Sequence, residues 1–310
     1  YDFLEESRYN TSGVFQAESE LFTRTLTGAL GDLHEKENAI EALPIEKQEE
    51  ARKELGFEMF MRVSDVNALV RPGPNQYVST YNERILDPSK TTYDHPSMEP
   101  QLKSTFGIML YQEQVMLLTR DMAGFSGGQM DTVRKAMGKK KKAILDEFRN
   151  YFIYGSKEKG IKGCIANGID EETASKVWAD MEQFAGYAFN KSHAVAYSMH
   201  TVRTAWLSRY YPEEFMAATL NSYSNKADRI KLYIASCKQK GIKILPPSVN
   251  LSHEKFTPLP DKHAILFGLE GLRYVGACST AILEERKNGP FLDLSDFLVR
   301  MSDRKLNKRV

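Results

Sequence analysis

The chain has 310 residues, of which 42% are hydrophobic and 27% are charged, a composition typical of a globular protein with one large domain or two smaller ones. Because 42 Lys and Arg residues face 41 Asp and Glu residues, the formal net charge is only +1. This balance excludes a uniformly basic protein, so any nucleic-acid site must rest on local clusters of cations.

The cysteines are far apart and form no Cys-x-x-Cys pair, which favours reduced thiols in a cytoplasmic protein over a zinc site or a disulfide framework. No apolar run reaches membrane-spanning length, so we predict no membrane partner.

Helices are predicted between residues 10 and 71, and they end at a proline-rich turn. Residues 10–30 place Thr and Ser ahead of an apolar run, as at a helix start, and the charges of both signs in residues 31–55 predict a solvated helical face. Helical spacing then ends at Arg71, because Pro72 disfavours a helical conformation in the residue before it. Arg71 could compensate the dipole of this helix end or reach away towards an anion, and the residues alone leave both open.

A strongly basic stretch follows two further predicted helices. Apolar residues at steps of three and four predict an amphipathic helix over residues 106–123. The next helix leads into residues 134–142, where six of the nine side chains are cations. Such side chains repel one another and are stable only in bulk water or facing an anion. The stretch is not a P-loop, because Gly138 and Lys139 are followed by Lys140 rather than by Ser or Thr, and a solvated basic turn remains the alternative.

A third stretch, residues 184–197, runs from aromatic residues through a glycine into a predicted helix start. Ser192 or Asn190 can cap that helix and leave backbone N–H groups free in its first turn. With Lys191 and His193 beside it, the helix start would suit a phosphate or a carboxylate. A capped helix with two solvated polar side chains is the alternative.

Tryptophan and aromatic residues on the flanking helices are predicted to lie in the core. Trp178 and Phe184 belong to this set. Trp206 could stack on a base, but its position among alanine and leucine at helical spacing favours the core for it too.

The character of the chain changes near residue 244, where prolines and short alternating patterns replace long helices. Residues 264–268 predict a strand, and a turn from Gly271 to Gly276 then leads into a helix. A glycine-containing turn before a helix resembles half of a helix–hairpin–helix element, whose backbone N–H groups would bind a phosphate without reading bases. An ordinary loop into a helix is the alternative.

Three of these stretches, residues 106–116, 134–142 and 184–197, resemble in this order the fingers region of the alpha subunit of bacterial DNA polymerase III, the C-family replicative polymerase. The resemblance implies a mainly α fold, in which a multi-helix fingers domain is followed by a small mixed α/β region of helix–hairpin–helix type. It assigns residues 1–30 to the exit from the palm, 31–243 to the fingers and 244–310 to a truncated helix–hairpin–helix region.

The resemblance also implies roles for individual residues. Those expected to bind the incoming nucleotide are Arg134, Lys135, Lys139, Lys191, His193 and Arg71. Those expected to bind DNA are Lys140, Lys141, Gly271, Arg273 and Gly276. The family has a second arginine where this chain has a lysine next to Arg134, so the bidentate geometry of a guanidinium is lost there although the charge is kept.

The family is a DNA-directed DNA polymerase that extends a primer with loss of pyrophosphate, using metal-bound carboxylates of the palm. The chain has no counterpart of those carboxylates, so we expect no catalytic or metal-binding residue in it, Mg²⁺ bound by the palm, and no activity of the chain alone. Implied partners are template–primer DNA, a dNTP, the remaining polymerase domains and, through parts missing here, the sliding clamp and other replisome subunits. The alternative is a stand-alone, non-catalytic nucleic-acid-binding protein derived from a polymerase.

Overall fold

The computed structural model describes residues 11–185, 189–224 and 226–302. The predicted glycine-broken approach at 186–188 lies outside these ranges. The described part of the chain is mainly helical with one small sheet, which confirms the predicted fold class. The helices, in chain order, are α1 Glu20–Ala29, α2 Leu33–Glu41, α3 Ile45–Leu69, α4 Val78–Leu86, the single turn α5 Glu99–Leu102, α6 Gln112–Ala123, α7 Gly127–Gly138, α8 Lys142–Tyr154, α9 Glu171–Ala185, α10 Lys191–Tyr210, α11 Pro212–Ser222, α12 Ala227–Gln239, α13 Ser279–Arg286 and α14 Leu294–Met301.

The described residues divide into two compact units. The first unit comprises residues 16–202, and the second comprises residues 11–15 and 203–302. The division falls within α10. These compact units do not test the domain boundary predicted near residue 244, which stays a prediction. In the part of the chain that is described, no helix is both long enough and apolar enough to cross a bilayer.

The first unit has a core built from α6 to α9. Its largest fully buried side chain is Trp178, whose ring centroid lies 5.3 Å from that of Phe152. Leu118 of α6 and Phe184 of α9 belong to the same cluster of buried residues. The prediction that Trp178 and Phe184 lie in the core is confirmed.

The start of α6 differs from the prediction. The helix begins at Gln112 and not at residue 106, because Phe106 and Gly107 adopt left-handed backbone conformations with φ of 51° and 78°. At Gly107 an added Cβ would lie 2.8 Å from the carbonyl oxygen of Thr92, so the close approach also requires glycine. Tyr111 then forms an isolated parallel β-bridge that ends the extended segment.

The second unit contains a three-stranded sheet beside α11 and α12. Strands β1 Lys243–Leu245, β2 Thr257–Leu259 and β3 Ala264–Leu266 lie in the order β1–β3–β2. β3 pairs in parallel with β1 and antiparallel with β2. The buried face of β3 packs with residues of the two helices through Ile265, which confirms the strand predicted here.

The last two helices form a small cluster of their own in the second unit. Ile282 of α13 and Met301 of α14 are buried with Phe291, which lies between the helices. Arg300 of α14 donates to the main-chain oxygens of Glu285 and Gly289. The chain after the predicted turn therefore returns to cover this region.

Trp206 does not lie in the core, and that prediction is wrong. Its side chain on α10 is 41% exposed, with ring centroids 5.2 Å from that of Tyr210 and 5.5 Å from that of Tyr211. Helical spacing identified a continuous helix but could not tell which of its faces is covered.

Candidate functional site

Two helices of the first unit begin side by side. Tyr111, just before α6, and Phe189, just before α10, form a parallel β-bridge. The backbone N–H of Gln112 donates to the carbonyl oxygen of Phe189 at 2.9 Å. The positive ends of two helix dipoles are thereby brought together, which favours negative charge between them.

Protein groups already occupy the first turn of α10. The backbone N–H of Lys191 donates to both carboxylate oxygens of Glu113, at 3.1 and 3.0 Å. The backbone N–H of His193 donates to Oδ1 of Asn190 at 2.9 Å, so Asn190 and not Ser192 caps the helix. The expectation that these N–H groups are free is wrong. An anion at this helix start would have to be bound by side chains.

Sequence reasoning gave Glu113 no role. The residue lies 78 positions before Lys191, and only the folded chain brings its carboxylate to the start of α10. Its position in the first turn of α6 also suits the dipole of its own helix. One carboxylate therefore compensates two adjacent helix starts.

Three of the predicted nucleotide-binding residues lie around these helix starts. The Lys191 ammonium is 5.6 Å from the centroid of the Tyr111 ring, and the Arg71 guanidinium is 5.1 Å from that of Phe189. The His193 ring packs edge-on against the same Phe189 at 5.1 Å. Cation–π contacts of this kind hold a positive side chain in place without neutralising it. Phe189 thus brings Arg71 and His193 together across more than a hundred residues of sequence.

A buried carboxylate lies behind Lys191. Asp65 of α3 is 3% exposed and accepts hydrogen bonds from the hydroxyls of Tyr111 at 2.5 Å and Tyr81 at 2.7 Å. Burial raises the pKa of Asp65 to about 6, against the opposing effect of both tyrosine hydrogen bonds and of the charges of Lys191 and Arg62. The sequence gave no signal for this residue, because it is one of several polar residues within a helix.

The burial of Asp65 also affects its two partners. Burial, together with the Asp65 charge, raises the pKa of Tyr111 and of Tyr81. Both phenols therefore remain protonated and can act as donors to the carboxylate. Because Tyr111 also lies under Lys191, this network fixes the ring on which the cation rests.

The other predicted cations lie at the end of α7. Arg134 donates from Nε and Nη2 to Oδ1 of Asp131 at 3.1 and 2.6 Å, and Nζ of Lys135 is 2.7 Å from Oδ2 of the same carboxylate. The hydrogen bonds from Lys135 and Arg134 lower the pKa of Asp131. One half-buried carboxylate therefore orients two adjacent cations.

The remaining lysines of this basic stretch form the turn between α7 and α8. Lys139 follows the last residue of α7, Lys140 has a left-handed φ of 51°, and Lys141 precedes α8. All three are exposed. Among the described residues, no hydrogen bond or ion pair joins this basic turn to Lys191, His193 or Arg71. Their convergence on one nucleotide stays a prediction.

The predicted DNA-binding positions of the second unit differ in their surroundings. Gly271 ends a short 3₁₀ turn, and a Cβ there would lie 2.8 Å from the ring of Phe267. The Arg273 guanidinium lies 4.9 Å from the ring centroid of Tyr274. Gly276 is exposed, with open space where a Cβ would be. Packing therefore explains glycine at position 271 but not at 276.

Among the described residues, no three His, Cys, Asp or Glu side chains come together as a metal ion would require. The binding of Mg²⁺ by the palm stays a prediction.

Comparison with known proteins shows which family models and relatives the chain matches. Residues 44–160 match the family model described as the bacterial DNA polymerase III alpha subunit finger domain, and residues 241–310 match that of a helix–hairpin–helix motif. The DNA polymerase III subunit alpha of Thermus aquaticus is 37% identical over 313 residues, which is 98% of this chain and 22% of the relative. That of Aquifex aeolicus is 36% identical over 314 residues, 100% of this chain and 24% of the relative. That of Pseudomonas fluorescens is 39% identical over 250 residues, 78% of this chain and 20% of the relative.

By its fold and by these matches, the chain resembles one part of a bacterial polymerase subunit. Over the region it spans, the chain belongs to the family of bacterial DNA polymerase III alpha subunits and corresponds to their finger and helix–hairpin–helix regions. This confirms the resemblance predicted from the sequence. The chain spans about a fifth of the length of the curated relatives that it matches.

Proposed function

We propose that this chain is the fingers portion of a replicative DNA polymerase and binds the triphosphate of the incoming dNTP together with template–primer DNA. The observation that carries the proposal is the pair of cations, Arg134 and Lys135, that Asp131 orients at the exposed end of α7. This pair lies within the residues that match the finger-domain model.

Asp131 orients Arg134 and leaves N–H donors of its guanidinium for a phosphate. A guanidinium has five N–H donors, and two of them donate to Asp131, which leaves three for an anion. The lysines of the turn, Lys139 to Lys141, add positive charge immediately after it. A triphosphate would relieve the mutual repulsion of these cations, whereas Asp131 alone neutralises only one charge.

Lys191, His193 and Arg71 form the second part of the proposed site. Aromatic rings hold Lys191 and Arg71, so their charges remain available to a phosphate. Because Glu113 and Asn190 already accept N–H groups of the α10 first turn, these side chains and not the helix main chain would contact the nucleotide.

The chain would contribute positioning and charge neutralisation, not metal catalysis. In the complete polymerase, Mg²⁺ on the palm carboxylates would activate the primer hydroxyl and stabilise the leaving pyrophosphate. Lys140, Lys141 and the turn from Gly271 to Gly276, with Arg273, would contact DNA phosphates. The sliding clamp and the other replisome subunits would bind other parts of the complete subunit.

Substitution of Arg134 in a full-length polymerase that carries these residues tests the nucleotide site. Loss of charge-assisted hydrogen bonds worth about 1.5–3 kcal/mol should lower kcat/KM for the nucleotide roughly tenfold to a hundredfold in Arg134→Ala. Arg134→Lys should lose less. The matched control is Arg120→Ala, because Arg120, in the last turn of α6, is likewise paired with a neighbouring aspartate. Unchanged nucleotide kinetics in Arg134→Ala would contradict the assignment.

Primer extension tests whether catalysis requires a palm-containing piece in addition to this chain. The chain should extend no primer alone and should support extension when mixed with a separately expressed palm-containing piece. Extension by the chain alone would contradict the proposal that the catalytic carboxylates lie elsewhere. DNA binding without extension in either case would favour the non-catalytic binding protein.

A further inference from the structure

The C-terminal part of α10, in the second unit, carries a group of exposed aromatic rings. Trp206 is 41% exposed, and Tyr210 and Tyr211 are each 48% exposed. Their rings lie at angles of 45° and 48° to the indole, with centroid distances of 5.2 and 5.5 Å. The two tyrosines therefore support the indole from the side and hold it on the surface, although a tryptophan is normally buried.

Positive charge accompanies these rings. Arg203 and Trp206 are one helical turn apart on the same face of α10, and Arg203 is exposed. The Arg209 guanidinium lies 5.8 Å from the centroid of the Tyr210 ring. Of the acidic residues that follow, Glu213 is buried and pairs with His263, whereas Glu214 is exposed. The surface charge around the rings is thus positive overall.

We propose that this aromatic face, defined as Arg203, Trp206, Arg209, Tyr210 and Tyr211, is a stacking platform for unpaired bases of single-stranded DNA. A base stacks on the indole, while the guanidiniums bind the flanking phosphates. The proposal concerns none of the residues assigned to the nucleotide site. Because every base has a π-face, stacking on an aromatic ring tolerates any base. A polymerase that copies any sequence requires such tolerance.

The composition of the segment favours a nucleic acid over a protein as the occupant. The exposed side chains of residues 203–211 are three aromatic rings, two guanidiniums and one aliphatic side chain: Arg203, Trp206, Leu207, Arg209, Tyr210 and Tyr211. The core of a protein–protein interface is depleted of charge, whereas rings interleaved with cations are the pattern of single-strand binding.

Tryptophan fluorescence gives a direct test, because the chain has two tryptophans and the other one, Trp178, is 1% exposed. A short oligothymidylate should quench the emission of the wild-type chain. An abasic oligomer with the same number of phosphates should not, since it binds through charge alone. The quenching should vanish in Trp206→Phe, where the reporter is removed but an aromatic ring is kept.

Affinity measured by the anisotropy of a labelled oligothymidylate provides the second readout. Trp206→Ala should bind roughly tenfold more weakly, given stacking of about 1–3 kcal/mol per base, and Trp206→Phe should keep most of the affinity. The control is Tyr154→Ala, because Tyr154 is 54% exposed but lies in the first unit, away from this face in sequence. All variants should keep the wild-type circular dichroism spectrum.

The results can overturn the proposal in three ways. Equal quenching by the abasic oligomer would show that charge and not stacking binds the strand. No quenching by either oligomer would show that no base stacks on the indole. An unchanged affinity of Trp206→Ala would show that the ring contributes nothing to binding.

Discussion

Replacing Asp65 by Asn should change how the stability of the first unit depends on pH. Asp65 is buried, accepts hydrogen bonds from Tyr81 and Tyr111, and has a pKa that burial raises from 3.8 to about 6. The folded protein therefore binds more protons than the unfolded chain between these two values. The protonated carboxyl contributes stability that is fully present below about pH 4 and is lost as the pH rises through 6.

The size of the effect follows from the same two values. Because one pKa unit corresponds to 1.36 kcal/mol, a rise from 3.8 to about 6 corresponds to about 3 kcal/mol lost between acidic and neutral pH. Asn has nearly the same shape and does not titrate. It keeps one acceptor oxygen for a tyrosine hydroxyl and presents a donor in place of the other, as the protonated carboxyl does at low pH. Asp65→Asn should therefore be about as stable as the wild type at low pH and the more stable protein at neutral pH.

Urea unfolding at a series of pH values measures this difference. Trp178 fluorescence in a Trp206→Phe background reports on the first unit, since Trp178 is buried in its core. The control is Asp170→Asn, because hydrogen bonds from Thr173 lower the pKa of Asp170 and give its pH dependence the opposite sign. Parallel stability curves for the wild type and Asp65→Asn would refute the argument, since Asp65 would then not titrate in this range.

Two other substitutions test the packing of the second unit and the start of α10. Gly268→Ala should lower the free energy of unfolding by about 1–3 kcal/mol, because its Cβ would lie 2.4 Å from a main-chain carbon. The control is Gly276→Ala, where the space is open and the thermal unfolding curve should match that of the wild type. Glu113→Gln should speed hydrogen exchange in the first turn of α10, because a carboxylate that accepts the Lys191 N–H becomes a weaker neutral acceptor, a loss of about 1 kcal/mol. Unchanged exchange there would mean that Asn190 alone fixes the helix start.

Local signals are sufficient where a helix boundary depends only on near neighbours in the sequence. Asp170 accepts the Thr173 N–H at the start of α9, and Pro212 opens α11 directly after α10 ends at Tyr210. Both features depend on neighbours within a few residues, so the pattern alone suffices. The start of α6 was predicted too early because the left-handed conformation of Phe106 depends on the packing around Gly107.

Burial and long-range contacts mark the limit of such reasoning. The cations from Arg134 onward were recognisable because they are contiguous, and the pairing of Arg134 with Asp131 spans only three residues. The contact of Glu113 with Lys191 spans 78 residues, and that of Tyr111 with Asp65 spans 46. No periodicity in the sequence encodes contacts between residues so far apart in the chain. The side chains that position the candidate site were therefore missed, whereas its cations are visible in the sequence and their role stays a prediction.

The two groups of cations differ in what an anion would have to displace. At the end of α7, Asp131 is a half-buried carboxylate that pairs with Arg134 and Lys135, and solvent and salt weaken such pairs. A triphosphate can therefore bind the three remaining N–H donors of Arg134 without displacing this carboxylate. At the start of α10, Glu113 accepts a main-chain N–H with both oxygens and also lies in the first turn of α6, so its displacement would leave two helix starts uncompensated. The phosphates should therefore bind first at Arg134 and Lys135, with Lys191 and His193 contributing only their side chains.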